Sequence, residues 1–243
     1  MQNFRQKLGS PAEHLACDDA VLQAADAGQV PSTLRLWEFD QTVVIIGRSS
    51  RVDFEVNREY CAQQSTPVLR RCSGGASVVG GAGCLMYSVV LDQDLGGGLR
   101  KIDVAHQYVM SRVLAAVQTQ LPEVELQGIC DLTWQNRKCS GNSLRIGRKH
   151  ILYHGTVLYA ADLNALSSCL SEAPRQPNYR EGRDHRQFVT NIPLDAQQLR
   201  RDIESKFEVV NEMSDQVFCD TILPRMNELR SQRYDNPSWH HRH

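Results

Sequence analysis

Two short segments rich in glycine and serine constrain this chain more than any other feature. The first covers residues 70–77 (Arg-Arg-Cys-Ser-Gly-Gly-Ala-Ser), and the second covers residues 136–143 (Asn-Arg-Lys-Cys-Ser-Gly-Asn-Ser). Small residues let a backbone approach a ligand closely, and glycine accepts positive φ angles. Consecutive free N–H groups in such a turn can bind an anion. Two donor-rich turns and one lysine, Lys138, therefore predict a site for an anionic acyl compound.

The apolar periodicity around these segments predicts an α+β fold, with a mixed β-sheet flanked by helices. Helices are predicted for residues 11–27, 53–64, 104–120, 162–170, 195–207 and 215–233. Strands are predicted for residues 33–39, 43–46, 67–70 and 85–91, and for much of the span 124–159. A polar surface loop is predicted for residues 174–186, and a frayed tail for residues 239–243. Because no repeat or linker is visible, residues 1–243 are predicted to form one domain.

The composition is that of an ordinary globular protein, and it excludes several classes of function. Of the 243 residues, 41% are hydrophobic and 23% are charged, and the net charge is −1. This balance leaves no electrostatic footprint for a nucleic acid. No apolar run approaches the roughly 20 residues that a membrane helix needs, and the first ten residues lack the apolar core of a signal peptide. We therefore predict a cytoplasmic protein with no nucleic-acid or membrane partner.

The eight cysteines have neither the spacing of a metal site nor that of a redox motif. No pair forms Cys-x-x-Cys, and no Cys/His spacing resembles a zinc site. In a reducing cytosol such cysteines are predicted to be small buried hydrophobes. The sequence therefore predicts no metal-ligating residues.

The first glycine segment matches neither common phosphate-binding pattern. It lacks the G-x-x-x-x-G-K-[ST] order of a P-loop and the G-x-G-x-x-G order of a dinucleotide-binding turn. The guanidinium groups of Arg70 and Arg71 could contact a carboxylate or phosphate in bidentate fashion. By itself, however, the segment fits a tight glycine hairpin equally well.

Lys138 and His154 are the two side chains with the most specific chemistry. An ammonium beside a glycine turn can polarise an acyl carbonyl or hold a phosphate, although most lysines are solvated surface residues. His154 interrupts an apolar run, and Gly155 after it indicates close approach by a ligand or another backbone. A structural histidine explains the same pattern, so spacing alone leaves both interpretations open.

Taken in chain order, several motifs resemble the lipoate–protein ligase A family. The matches are residues 70–75 (Arg-Arg-Cys-Ser-Gly-Gly), 131–132 (Asp-Leu), 137–143 (Arg-Lys-Cys-Ser-Gly-Asn-Ser) and 153–156 (Tyr-His-Gly-Thr). Weaker similarity covers residues 15–20, 44–48, 54–57 and 234–239, so the resemblance spans nearly the whole chain. This family belongs to the wider group of biotin and lipoate protein ligases and octanoyltransferases. The resemblance implies their catalytic-domain fold.

The resemblance also implies a reaction. A ligase of this type activates lipoate with ATP and Mg²⁺ to lipoyl-AMP. It then transfers the lipoyl group to a lysine of a carrier lipoyl domain, of the 2-oxoacid dehydrogenase E2 or glycine cleavage H protein type. Lys138 matches the family's essential lysine, whose implied role is to bind the acyl carbonyl and phosphate of the adenylate. The implied substrate-binding residues are Arg71, Ser73, Gly74, Gly75, Ala76, Ser140, Gly141, Asn142, His154, Gly155 and Thr156.

Two departures from the family pattern affect these expectations. Gly80 stands where many ligases carry a histidine after the glycine segment, which leaves that histidine's contribution to nucleotide or acyl binding open. The chain ends at residue 243, without the small C-terminal accessory domain of many ligases. Two alternatives are therefore open. Adenylation depends on a separate accessory-domain protein, or the chain does not carry out adenylation.

Two other hypotheses stand beside the ligase. An octanoyl- or lipoyl-transferase moves the acyl group between carriers without ATP, through a thioester on an exposed, activated cysteine. Ala173 stands where one type of octanoyltransferase carries that cysteine, Cys169 is four residues away, and Cys130 matches no family cysteine. The ligase is therefore favoured, with lipoate or octanoate as the acyl substrate. The third hypothesis is a non-catalytic acyl- or carrier-binding protein, and the presence of Lys138 with the glycine segment argues against it.

Overall fold

The structure, a computed structural model, describes residues 1–171 and 176–242. The strands in these residues are β1 (Gln2–Phe4), β2 (Thr33–Trp37), β3 (Val43–Ile46), β4 (Val68–Arg70), β5 (Val78–Gly80), β6 (Cys84–Asp92), β7 (Glu125–Gln127), β8 (Asp131–Trp134), β9 (Arg137–Ser140), β10 (Asn142–Ile146), β11 (His150–Leu158) and β12 (Asn211–Glu212).

The helices in the same residues flank these strands. They are α1 (Pro11–Asp26), α2 (Val52–Glu55), α3 (Arg58–Gln63), α4 (Ile102–Val117), α5 (Leu163–Cys169), α6 (His185–Phe188), α7 (Ala196–Lys206), α8 (Asp215–Val217), α9 (Leu223–Leu229) and α10 (Pro237–His240). Short 3₁₀ turns occur at Leu95–Gly97 and Asn178–Arg180. A π-helical stretch at Phe218–Ile222 joins α8 to α9, and a second one at Arg230–Tyr234 continues α9. The predicted α+β class, with a mixed sheet flanked by helices, is confirmed.

The described strands form one large sheet and two small ones. The large sheet has the order β10-β11-β6-β2-β1-β12, and the small sheets have the orders β4-β3-β5 and β7-β8-β9. At the centre of the large sheet, β6 and β11 pair antiparallel from end to end. β1 pairs parallel with both β2 and β12. The large sheet is therefore mixed.

Burial on both faces explains why β6 is apolar without alternation. Leu85, Val89 and Leu91 face a core that includes residues of α4 and α7. Met86 and Val90 face a second core that includes residues of α1 and α9. A strand covered on both faces has no solvent side and therefore carries a continuous apolar run.

The predicted helix over residues 53–64 is two helices. Val56 is extended, with φ −127° and ψ 131°, and forms an isolated antiparallel bridge with Leu170. Asn57 then begins α3, and its side chain accepts a hydrogen bond from the N–H of Tyr60. An asparagine at this position starts a new helix, which the apolar spacing alone does not reveal.

The tail that was predicted to fray is instead ordered through residue 242. The fully buried Arg70 guanidinium donates to Trp239 O at 3.1 Å and to His240 O at 2.9 Å. The Arg70 N–H also donates to His240 Nδ1 at 2.9 Å. The prediction was wrong because a buried arginine needs carbonyl partners, and α10 supplies two of them. His243 lies outside the described residues.

Other sequence expectations have mixed outcomes. Burial is confirmed for six cysteines, whereas Cys130 is half-buried and Cys219 is exposed. The predicted loop 174–186 contains a 3₁₀ turn and the start of α6, and its Pro174 and Arg175 lie outside the described residues. Among the residues that the structure describes, no helix is long and apolar enough to cross a membrane.

Candidate active site

Lys138 lies on a β-hairpin and not in a flexible loop. Gln135 and Asn136 have φ angles of 51° and 57° and form the two-residue turn between β8 and β9. Such turns match the twist of antiparallel strands, and asparagine tolerates the positive φ. Lys138 pairs with Thr133 across the hairpin. The segment that was predicted to be a glycine turn thus forms β9 and β10, and rigid strands fix the position of the lysine.

The Lys138 ammonium is paired with a carboxylate on the neighbouring strand. Its Nζ lies 2.8 Å from Asp131 Oδ1, and the lysine side chain is 27% exposed. The Tyr179 hydroxyl donates to Asp131 Oδ2 at 2.8 Å. A Cβ on Gly141 would lie 3.5 Å from the Lys138 Nζ, so this glycine lies directly beside the ammonium. An ammonium has three N–H groups, so the ion pair leaves donors for an acyl or phosphate oxygen.

Arg71 supports the glycine segment from inside the protein. Its guanidinium donates to Ser73 Oγ at 3.1 Å, Ile45 O at 3.1 Å and Ala76 O at 2.9 Å. It also donates to Gly74 O, at 2.5 Å from Nη2. Burial, partly offset by the charge of a nearby glutamate, lowers the Arg71 pKa to about 10. A cation held by so many carbonyls shapes the segment.

The backbone N–H groups of the same segment are available to a ligand. Carbonyls of Gly74 and Ala76 point inward at Arg71, while Gly75 has a φ of 83° and is exposed. Nothing within residues 1–171 and 176–242 accepts a hydrogen bond from the N–H of Gly74, Gly75 or Ala76. Successive unpaired N–H groups around a left-handed residue form an anion-binding concavity.

A turn formed by residues 47–51 packs behind the glycine segment. The Arg48 N–H donates to Ser73 O at 2.7 Å, and Ser50 Oγ donates to Gly75 O at 3.2 Å. A Cβ on Gly47 would lie 1.9 Å from Gly75 O, so only glycine fits there. The turn therefore fixes the glycine segment from the side opposite Arg71.

Hydrogen bonds join the glycine segment to β10 and β11. Ser143 Oγ donates to Gly74 O at 2.8 Å. The Asn142 amide donates to Cys130 O at 2.6 Å and accepts from the Tyr87 hydroxyl. A Cβ on Gly155 would lie 1.7 Å from Asn142 Oδ1, which explains the glycine after His154 as close approach by a neighbouring side chain. Asn142 is thus engaged inside the protein.

His154 bridges the glycine segment to helix α1. Its Nε2 lies 2.5 Å from Ser73 Oγ, and its Nδ1 lies 3.4 Å from Asp18 Oδ2. Asp18 also accepts from Arg35 at 3.0 Å and from Ser88 at 2.9 Å. Burial raises the Asp18 pKa, but the His154 hydrogen bond and the Arg35 charge outweigh it, so the pKa lies below its ordinary value. Both ring nitrogens of His154 are therefore held in place by a buried carboxylate and a hydroxyl.

Two cavities meet at Lys138. One, of about 100 Å³, has apolar walls from Leu15, Trp37, Ile45 and Met86 and a polar wall from His154. The other, of about 120 Å³, is lined by apolar residues of α5 and α6 together with Arg180 and His185. The wall shared by both cavities consists of Ala76, Ser77, Val78, Lys138, Gly141 and Thr156. The site can thus hold an apolar chain on one side of the lysine and a second group on the other.

The sequence model of the lipoyl protein ligase A/B catalytic domain family matches residues 10–211. The chain belongs to this family. It is therefore an enzyme of the ligase and acyltransferase group, and its function lies in protein lipoylation. The resemblance of the chain to the lipoate–protein ligase A family is confirmed.

Relatives of the chain include both types of family enzyme. Lipoate–protein ligase 1 of Staphylococcus aureus is 24% identical over 240 residues, which cover 96% of this chain and 71% of the relative. The octanoyltransferase LipM of Brevibacillus brevis is 24% identical over 263 aligned positions, which cover 95% of this chain and 94% of the relative. The family thus fixes the acyl-transfer chemistry and leaves the acyl donor open.

Solved structures show the same fold. A bipartite lipoate protein ligase from Thermoplasma acidophilum, studied with its E2 lipoyl domain, superposes with a TM-score of 0.80 at 18% identity over 99% of this chain and 95% of the other. A lipoate-protein ligase A bound with ATP superposes with a TM-score of 0.80 at 19% identity over 99% of this chain and 98% of the other. At these identities the similarity shows the fold of the lipoyl ligase family.

Burial raises the thiol pKa values of Cys130 and Cys169, the two cysteines considered for a transferase mechanism. Burial, with the charge of Asp131, raises the Cys130 pKa to about 11. Burial beside Cys61 raises the Cys169 pKa to about 12. A thiol with such a pKa holds very little thiolate at neutral pH. Ala173, which was predicted to stand at the position of the octanoyltransferase cysteine, lies outside the described residues.

The space beside Gly80 is already filled. A Cβ on Gly80 would lie 2.6 Å from Cδ2 of Phe39, which is itself 2% exposed. A histidine at this position would have to displace the Phe39 ring. In this chain the Phe39 ring thus occupies the space that a side chain at position 80 would need.

The residues that the structure describes contain no group of three His, Cys, Asp or Glu side chains that could hold a metal ion. Mg²⁺ in nucleotide sites is commonly held by one or two carboxylates together with substrate phosphates.

Sequence reasoning missed several residues of the site. Asp131 was part of a motif but was given no role, and Asp18, Tyr179, Arg180 and His185 were not nominated. The signals for Asp18 were an acidic pair in the middle of an apolar helix and the weak family similarity over residues 15–20. Tyr179 and His185 lie in a segment predicted to be a solvated loop, where no periodicity marks a functional residue.

Proposed function

We propose that this chain is a lipoate–protein ligase that forms lipoyl-AMP from lipoate and ATP and transfers the lipoyl group to a lysine of a carrier lipoyl domain. The observation that carries the proposal is the position of Lys138, in the wall between an apolar cavity and a second cavity with cationic residues. Such a lysine can contact the carbonyl of one substrate and the phosphate of another at the same time.

The apolar cavity suits the hydrocarbon tail and ring of lipoate, and octanoate as a simpler analogue. Its aliphatic and aromatic side chains give up no hydrogen bond on binding an apolar chain. The carboxylate end would then reach the wall of Lys138, Gly141 and Ala76. There the unpaired N–H groups of the glycine segment and the ammonium offer donors to its oxygens.

The second cavity suits the adenylate part. Arg180 and His185 line it together with Phe188, and a guanidinium is well shaped to bind phosphate oxygens. Tyr179 precedes Arg180 on the same segment and contacts Asp131, so this segment is tied to the lysine strand. Mg²⁺ bound to the nucleotide would neutralise part of the phosphate charge when present.

The reaction then has two steps. A carboxylate oxygen of lipoate attacks the α-phosphorus of ATP, and pyrophosphate leaves. The neutral amine of the carrier lysine next attacks the acyl carbonyl, AMP leaves, and the amine proton passes to solvent. In both steps negative charge builds on oxygens that the Lys138 ammonium can contact, and this stabilisation accelerates the reaction.

An ATP-independent octanoyltransferase is the second candidate, since the Brevibacillus LipM relative aligns with 95% of this chain. The raised pKa values of Cys130 and Cys169 argue against a cysteine thioester at these positions. The nature of the carrier (E2 or H protein type), the need for a separate accessory-domain protein, the single-domain organisation and the cytoplasmic location stay predictions.

The decisive experiment is acylation of an apo lipoyl domain by the purified chain, read by intact mass. One reaction contains lipoate with Mg²⁺ and ATP, and the other contains octanoyl-carrier protein without ATP. The proposal expects a lipoyl mass increase in the first reaction alone. Modification in the second alone would make the chain a transferase, and carrier binding with no modification in either would favour the non-catalytic hypothesis.

A further inference from the structure

Three exposed arginines surround the turn that packs behind the glycine segment. Arg48 and Arg51 lie on this turn, and Arg242 follows α10. The Arg242 guanidinium donates to Arg48 O at 2.7 Å and stacks over Trp239 at 3.9 Å. We call Arg48, Arg51 and Arg242 the basic rim.

The arginines of the basic rim have no ion-pair partner in the part of the chain that the structure describes. Within residues 1–171 and 176–242, no carboxylate forms a salt bridge with any of the three arginines. Other exposed arginines do have partners: Arg58 lies 2.8 Å from Asp53. Partial burial and the charges of Arg48 and Arg233 lower the Arg242 pKa, as expected where like charges crowd together. A chain with a net charge of −1 thus concentrates positive charge at this place.

The basic rim borders the site. The Arg48 N–H donates to Ser73 O, and the exposed Gly75 contacts Ser50 of the same turn. Ala76, the next exposed residue, lines both cavities. A macromolecule that delivers a lysine to Lys138 from this side must therefore pass over the arginines.

We propose that the basic rim docks an acidic face of the acyl-accepting carrier domain and so guides its target lysine to the site. This inference rests on the proposed function, because it assigns a surface to the carrier of that reaction. Complementary charge at the rim of an interface steers association and fixes orientation. Carboxylates on the carrier would supply the partners that the arginines lack here.

The surface fits a protein better than a nucleic acid. Arg51 stacks over Phe54 at 4.1 Å, and Phe54 is 50% exposed. Arginine beside an exposed aromatic ring is typical of protein interfaces. Nucleic acid binding usually relies on a longer row of cations that follows the phosphates.

The test is a double charge reversal, Arg48→Glu with Arg51→Glu, in the full chain. Both side chains are exposed and neither contributes a side-chain hydrogen bond to the glycine segment, so the fold should persist. We expect the dissociation constant for the apo lipoyl domain, measured by calorimetry, to rise at least about tenfold. The KM for the carrier should rise similarly while the KM for lipoate stays unchanged. Raising the ionic strength should weaken carrier binding by the wild type more than carrier binding by the double variant.

The matched control is Arg100→Glu, an exposed arginine on the connection between β6 and α4 with no salt bridge in the described part of the chain. It changes the net charge but should leave carrier binding unaltered. Equal carrier affinity in the wild type and the double variant would overturn the proposal. The proposal would also be overturned if the double variant lost retention on a heparin column but kept its affinity for the carrier. The basic rim would then bind a polyanion such as a nucleic acid.

Formation of lipoyl-AMP without carrier separates this inference from the proposed function. The double variant should form it at the wild-type rate, because the reversed side chains lie outside both cavities. If the wild type forms no adenylate, the proposed function fails, whereas the calorimetric comparison still decides whether the basic rim binds the carrier.

Discussion

The glycine segment and the lysine hairpin use positive charge in opposite ways. Arg71 lies inside the protein, and its guanidinium is hydrogen-bonded to backbone carbonyls of the segment that it supports. Lys138 is 27% exposed and has one carboxylate partner, Asp131, at 2.8 Å. The first cation shapes a backbone whose N–H groups face the site. The second presents its own charge to the site.

The difference follows from the chemistry of the two side chains. A guanidinium has a rigid fork of five N–H donors and can satisfy several carbonyls at once. An ammonium is a compact charge on a flexible stem, so it can follow an oxygen whose charge grows during a reaction. An arginine beneath a loop and a lysine at a cavity wall are therefore not interchangeable cations.

The largest expected effect on activity comes from removing the Lys138 ammonium. Lys138→Ala should lower the rate of carrier lipoylation by at least about 100-fold, because the oxygens of the acyl phosphate lose their ammonium partner. The melting temperature should change little, since the side chain is partly exposed. Lys149→Ala, at an exposed lysine away from the cavities, is the control and should keep full activity. Near-normal turnover of Lys138→Ala in a mass-based assay would remove this lysine from the mechanism.

The role of Arg71 beneath the glycine segment can be tested by replacing its guanidinium with the ammonium of a lysine. Arg71→Lys should lower the free energy of unfolding by about 3 kcal/mol, because several buried carbonyls lose their donors. Urea denaturation followed by circular dichroism measures this change. Arg58→Lys, at an exposed ion pair, should change it by less than about 0.5 kcal/mol. Equal stabilities of these two variants would contradict the view that Arg71 shapes the glycine segment.

A smaller change in activity should follow from removing the hydrogen bond that Tyr179 donates to Asp131, the ion-pair partner of Lys138. Tyr179→Phe removes the hydroxyl that donates to Asp131 and leaves the ring in place. We expect about a fivefold fall in kcat, equivalent to one hydrogen bond of about 1 kcal/mol, with the KM for lipoate unchanged. Steady-state kinetics with varied lipoate would reveal it. A change in the KM for lipoate instead would mean that Tyr179 shapes the acyl cavity.

The smallest effect is expected at the half-buried thiol near the hairpin. Its pKa of about 11 keeps Cys130 as a thiol at neutral pH, so Cys130→Ser should leave lipoylation within about twofold of the wild type. Iodoacetamide should react faster with the exposed Cys219, and Cys219→Ser serves as the control. Loss of turnover in Cys130→Ser alone would move the chain toward the thioester mechanism of a transferase.

The sequence predicts long elements of this fold well and short ones poorly. Apolar periodicity located α4 and α7, because each buries one face over several turns. It also located α1, in which no residue is exposed. β1 and β5 are three residues each and were missed, since their existence depends on partners far away in the chain. The break at Val56 was missed for the same reason, because its extended backbone is stabilised by Leu170.

The candidate site was predicted as a set of motifs. In the structure, the residues of these motifs differ in whether they line a cavity or are hydrogen-bonded within the protein. Lys138 and Thr156 line both cavities. Arg71 and Asn142 line only the first of these cavities, and they and Ser73 have polar groups engaged within the protein. No pattern in the sequence separates these two groups, because a motif marks the residue type and not the direction in which its side chain points.

The hydrogen bonds between Arg70 and α10 affect when, during synthesis of the chain, the site can be completed. Arg70 is synthesised 170 residues before His240, whose carbonyl and ring it binds. At a ribosomal rate of 5–20 residues per second, the arginine waits roughly 9 to 34 s for these partners. Until then its guanidinium can donate to the carbonyls of Gly47, Arg48 and Ser50, but its hydrogen bonds to α10 are missing. A site encoded early in the message is thus completed only when residues near the end of this sequence have left the ribosome.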